Sequence, residues 1–77
     1  MRAPATPAAV GGVPLTEGQR ARMGRLIFVI WNCDPRQTGA GIVAYAEQCF
    51  LTTVRRVDGA FEDRGRIQVG GRAVMVV

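Results

Sequence analysis

Two dipeptides constrain this chain more than anything else in it: Asp58-Gly59 and Gly70-Gly71. Each sits between short runs of β-forming residues. A two-residue loop of this kind supplies the positive φ angles that close a tight antiparallel hairpin. Pairing across Asp58-Gly59 sets Arg56 opposite Phe61 and Arg55 opposite Glu62, the second an attractive cross-strand charge pair. Around Gly70-Gly71 the register sets Ile67 against Val74, and Val69 and Val76 share that side of the ribbon. One face is then aliphatic, while Arg66, Gln68, Ala73 and Met75 take the other.

Upstream, the pattern is helical. Thr16 and Gln19 have the spacing of a capping box, in which each side chain satisfies the other residue's backbone N–H. Behind them Met23, Leu26, Ile27 and Ile30 follow one face of a helix, with Gln19, Arg20, Arg22 and Arg25 on its polar side. The helix is expected to end near Asn32, because Asp34-Pro35 disfavours continuation. Against it stand Gly24, which costs about 1 kcal/mol relative to Ala, and the β-branched and aromatic run Leu26 to Trp31, which also suits a buried strand. Asp34 to Gly41 reads as loop, Ile42 to Phe50 as a short second helix, and Leu51 to Val57 as a strand. There is no internal repeat and no heptad pattern. The fold class is α+β: one or two helices packed on a small antiparallel β-meander with a C-terminal hairpin. In this reading Ile67, Val69, Val74 and Val76 form the sheet side of the core beneath Met23, Leu26, Ile27 and Ile30.

The first fourteen residues hold three prolines (Pro4, Pro7, Pro14) among Ala and Gly. They show no apolar periodicity and read as a flexible arm, residues 1–14, preceding a single small domain, residues 15–77. A domain of that size buries only about 60% of its unfolded surface. Association with a second copy or another protein would stabilise it. The terminal strand supplies a means: Arg72, Val74, Met75 and Val76 are candidate partner-binding residues on a sheet edge that natural proteins seldom leave uncovered.

Composition narrows the chemistry. All ten basic residues are Arg, and the chain has no Lys, His or Ser. An imidazole base and a Ser–His–Asp triad are therefore excluded. Glu17, Glu47 and Glu62 fall in separate elements, and Cys49 has no His to activate it. The expectation is a non-enzymatic protein with no cofactor, no metal and no small-molecule substrate. Cys33 and Cys49 are expected as buried thiols of a cytoplasmic domain, and the alternative is a disulfide closing a loop of about 17 residues, worth about 3 kcal/mol. No signal peptide is evident, and the longest apolar run, Leu26 to Trp31, is far short of the roughly 20 residues that span a bilayer. No membrane partner is expected.

The net charge of +4 and a pI near 10.5 favour acidic partners, nucleic acid among them. Arg55, Arg56, Arg64 and Arg66 around the hairpins, near Phe61, could supply phosphate contacts and a stacking platform for RNA or single-stranded DNA. Arg55 and Arg56 point to opposite faces of any strand, however, and Glu62 and Asp63 lie among them. Arg36 to Gly41, before the second helix, has the parts of an anion site but the spacing of neither a P-loop nor a dinucleotide fingerprint. The leading functional reading is a protein-interaction module, a component or regulator of a larger assembly, with nucleic-acid binding as the alternative.

Trp31-Asn32-Cys33-Asp34-Pro35, followed by Val54 to Val57 and Asp58-Gly59, resembles the C-terminal domains of TolA- and TonB-type energy transducers. There a helix ends in Trp-Asn-x-x-Pro and a strand ends in Asp-Gly. The resemblance spans roughly residues 15 to 60 and implies a periplasmic interaction domain. The chain departs from that pattern in its Gly-Gly hairpin, in lacking that family's following helix and in showing no membrane anchor.

Overall fold

The computed structural model describes residues 3–34, 36–64, 66–69 and 72–75, the last two stretches as backbone only. Two helices carry the fold. Helix α1, Glu17–Cys33, starts at the expected capping box: Gln19 N–H donates to Thr16 Oγ1 at 3.2 Å, and Thr16 N–H to Gln19 Oε1 at 3.0 Å. Helix α2, Gly39–Leu51, starts earlier than the sequence suggested. Thr38 caps it by accepting the Gly41 N–H at 3.1 Å, which draws Gly39 to Gly41 out of the expected loop. The short link between them folds α2 back along α1. Between Cys33 and Asp34 the chain is still helical enough for Asp34 N–H to reach Ile30 C=O at 3.0 Å.

The strands form antiparallel hairpins. β1 (Ala9–Val10) pairs with β2 (Val13–Pro14), β3 (Val54–Val57) with β4 (Ala60–Asp63), and β5 (Arg66–Val69) with β6 (Arg72–Met75). The expected registers hold, with Arg55 opposite Glu62, Arg56 opposite Phe61 and Ile67 opposite Val74. Asp58 (φ 49°) and Gly59 (φ 75°) make the turn that the Asp-Gly signal implied. The strand expected from Leu51 begins only at Val54. Leu51 ends α2, and Thr53 N–H and Oγ1 both bond back to Phe50 C=O, at 2.8 and 2.7 Å. The result is an α+β fold in which, among the described residues, the three hairpins share no ladder.

The core differs from expectation in its sheet side. Met23 and Ile27 of α1 pack with Ile42, Ala46 and Phe50 of α2, and with Val54 and Phe61 of the β3–β4 hairpin. Phe50 and Phe61 meet edge to face, ring centres 5.6 Å apart. The Gly70-Gly71 turn, Val76, and the side chains of Ile67, Val69 and Val74 lie outside the described residues.

The arm reading fails for residues 8–14. Val10 and Val13 are opposite each other in the β1–β2 ladder and are 4% and 1% exposed. Gly11 (φ 56°) and Gly12 (φ 79°) form the turn, and Leu15 N–H closes on Ala8 C=O at 2.9 Å. This is a Gly-Gly hairpin like the one read at Gly70-Gly71, overlooked because a two-residue strand leaves no alternation to see. The segment before it also lies against the helices. A Cβ on Gly24 would stand 3.2 Å from Thr6 Oγ1, and one on Gly39 would stand 3.6 Å from Pro4 Cβ. Gly24, a cost to the isolated helix, is where the chain's own N-terminal segment crosses it.

Candidate interaction surfaces

Two polar residues assigned to the outer side of α1 are buried. Gln19 and Arg22 precede Met23 and Leu26 by one helical turn and share their stripe, so the helix turns them inward. Both are satisfied there. Gln19 Nε2 donates to Phe61 C=O at 3.1 Å, while Arg22 donates to Thr53 Oγ1 at 3.1 Å and to Asp63 Oδ1 at 2.9 Å. The Arg22 guanidinium also lies 5.9 Å from the Phe50 ring centre. These contacts bolt α1 to the β3–β4 hairpin and leave other surfaces open.

The first open surface is a groove of about 450 Å³ between the helices. Leu26, Val29, Ile30 and Cys33 of α1 line it with Tyr45 and Cys49 of α2, and Asp34 and Gln37 stand at one end. Val29 and Tyr45 remain 58% and 57% exposed, and Phe28, which does not line the groove, is 57% exposed. Phe28 leans on Trp31, centroids 6.2 Å apart, and Trp31 in turn packs against the core. Cys33 is exposed and Cys49 half-buried, both free thiols. Both thiols line this groove, and they are not joined.

The second is a groove of about 470 Å³ beside the β3–β4 hairpin. Val10, Val13, Leu51 and Val54 contribute apolar floor, and Arg55, Arg56 and Arg64 surround it. Four of the proposed nucleic-acid residues, Arg55, Arg56, Phe61 and Arg64, thus line one groove. Arg55 is held by Glu62 at 3.1 Å, and Arg64 Nε donates to Val54 C=O at 3.2 Å. Phe61 lines the groove as a largely buried ring, 8% exposed and packed edge to face against Phe50, which leaves little of it for a base to stack on. Its place opposite Arg56 puts it on the face with Val54, which turns into the core. The side chains of Arg66, Arg72, Val74 and Met75, and all of Val76, lie outside the described residues.

Among the described residues no group of three or more Cys, Asp or Glu is placed to hold a metal ion, and no helix is long and apolar enough to cross a membrane. Comparison of the chain with protein-family models, with curated proteins and with solved structures finds no match to any of them. The Trp31-Asn32 pair does close α1, with Asn32 Nδ2 donating to Phe28 C=O at 2.8 Å, but α2 stands between it and β3.

Proposed function

We propose that this chain is a small non-enzymatic protein-interaction module that takes an amphipathic helix of a larger assembly into the α1–α2 groove. One observation carries the reading: Val29 and Tyr45, both more than half exposed, line an apolar groove between the helices together with Leu26 and Ile30. Contiguous exposed apolar surface on a small protein marks a binding site more often than a solvated face. A groove between two helices is the receptor in helix-in-groove recognition, with anchors at i, i+3, i+4 and i+7. Asp34 is the sole charge on the lining, so the partner helix presents an apolar face with a basic residue at one end. Two free thiols suit the reducing cytoplasm.

The test compares the wild-type chain with Val29→Glu in pull-downs from native lysate, with and without nuclease. A partner retained after nuclease, lost with Val29→Glu and displaced by its own isolated helix supports the reading. Equal capture by both proteins overturns it, and light scattering shows whether the occupant is instead a second copy. Nucleic-acid binding remains the second reading because Arg55, Arg56 and Arg64 do cluster. Capture that nuclease abolishes, with binding that falls steeply as salt rises, would favour it.

A further inference from the structure

We propose that the outer edge of β3 is a second docking site, where an acidic, extended segment of a partner protein adds as a strand beside Val54 and Arg56. The inference goes beyond the helix-groove reading and stands without it. Backbone parity comes first. The two-residue turn closes on the Val57–Ala60 pair, and Arg64 N–H bonds Thr53 C=O at 3.1 Å. Residues 53, 55 and 57 therefore direct their backbone groups to β4, and Val54 and Arg56 direct theirs away from it. On the far side, the edge of β4 is covered: β2 lies alongside, and Gln19 Nε2 bonds Phe61 C=O. The edge of β3 carries no second strand: among the described residues β3 pairs with β4 alone. At Val54 the Arg64 guanidinium holds the carbonyl, and an added strand would displace it there.

The groove beside this edge supplies specificity. Side chains of an added strand alternate between faces. One set would enter the groove over Val10, Val13, Leu51 and Val54, beside Arg56 on Val54's face, while the other would lie on the face that carries Arg55 and its partner Glu62. Three Arg surround the groove, and Glu62 alone offsets them, because Asp63 is turned to Arg22. Acidic residues alternating with apolar ones match both faces. A phosphodiester backbone offers no N–H for the outward carbonyl of Arg56, and Phe61 is not open for stacking.

The probe is an eight-residue peptide alternating Glu and Val, titrated into ¹⁵N-labelled protein. The amides of Val54 and Arg56 are expected to shift and to gain protection from hydrogen exchange, while those of Arg55 and Val57, already in the ladder, keep the protection they have. Arg56→Pro removes the outward donor without taking a ladder bond and should abolish binding. Arg55→Glu should weaken binding by about fivefold at low salt, the upper range for an exposed ion pair. Val29→Glu, which spoils the helix groove, should leave it unchanged. Where Arg56→Pro does not fold, the protection pattern in the wild type decides. Equal binding of a Lys–Val peptide, shifts confined to the helix groove, or displacement by oligothymidylate at the same amides overturns the proposal.

Discussion

Arg22 on α1 and Asp63 on β4 meet at 2.9 Å across 41 residues of chain, in an ion pair buried at one end and open at the other. The Arg22 side chain is 11% exposed and that of Asp63 is 52% exposed. The two partners are therefore not equivalent. Arg22→Ala strips a stem packed near Phe50 together with two hydrogen bonds, and should cost about 3 kcal/mol. Asp63→Asn keeps an acceptor for the guanidinium and should cost about 1 kcal/mol. Urea denaturation of both variants and their double mutant checks this, and equal costs would mean the pair acts as an ordinary surface contact.

Deleting residues 1–14 should abolish cooperative unfolding, because it removes Val10 and Val13 from the core. Val13→Ala alone should cost about 2 kcal/mol, near the lower end for a truncated buried aliphatic. Gly12→Val should also be destabilising, since a β-branched residue is strained at φ 79°. Thermal denaturation followed by circular dichroism reads all three. A truncated chain that still melts cooperatively at the wild-type temperature would remove the hairpin from the core.

Gln19 has two tasks that separate by substitution. Thr16→Ala loses only the cap, about 1 kcal/mol. Gln19→Ala loses the reciprocal cap and leaves the Phe61 carbonyl without its amide partner, for about 2 kcal/mol in total. The comparison is of chemical-denaturation midpoints, and it fails if the two substitutions cost the same.

Tyr45→Ala and Phe50→Ala differ by a little over one turn of α2 and should differ sharply in effect. Phe50 is 0% exposed and stacks edge-on with Phe61, so its truncation should cost about 4 kcal/mol and largely unfold the domain. Tyr45 should be nearly silent for stability while weakening capture of a groove ligand. Loss of stability at Tyr45 would mean that the groove is core rather than surface.

Under mild oxidation Cys33 should form intermolecular disulfides, and intact mass under non-reducing conditions should show no internal Cys33–Cys49 bond. Exposure of Cys33, with Cys49 half-buried and the two thiols unjoined, sets that outcome.

Where local chemistry decides structure, the sequence was readable. The Thr16–Gln19 cap, the Asp58-Gly59 turn and the Arg55–Glu62 pair each depend on a few adjacent residues, and each stands as expected. Pattern at longer range was harder to read. Gln19 and Arg22 looked like surface because they are polar, yet their position on the stripe of Met23 and Leu26 placed them inside. Val10 and Val13 had no periodicity to announce them, since burial of a two-residue strand is conferred by what it lies against. For the candidate surfaces, the cluster of Arg55, Arg56 and Arg64 was legible, but the groove between Val29 and Tyr45 required knowing that α2 folds back on α1. The burial of Phe61 against Phe50 was not legible, because a single aromatic in a hairpin says nothing about which face meets the core.

The docking of β1–β2 beside β4 carries a consequence for the order of assembly. Val10 and Val13 precede both helices in the chain, yet their hairpin lies against the strand that includes Phe61, which follows both. Val10 and Val13 thus emerge from the ribosome long before their neighbours exist, and wait exposed while both helices are made. Closing so wide a loop is entropically slow compared with folding the helical hairpin, whose contacts are local. The β1–β2 hairpin, translated ahead of both helices, is then the last to find its place, and until it does, the nascent domain carries an open apolar flank that chaperones or a partner chain can reach.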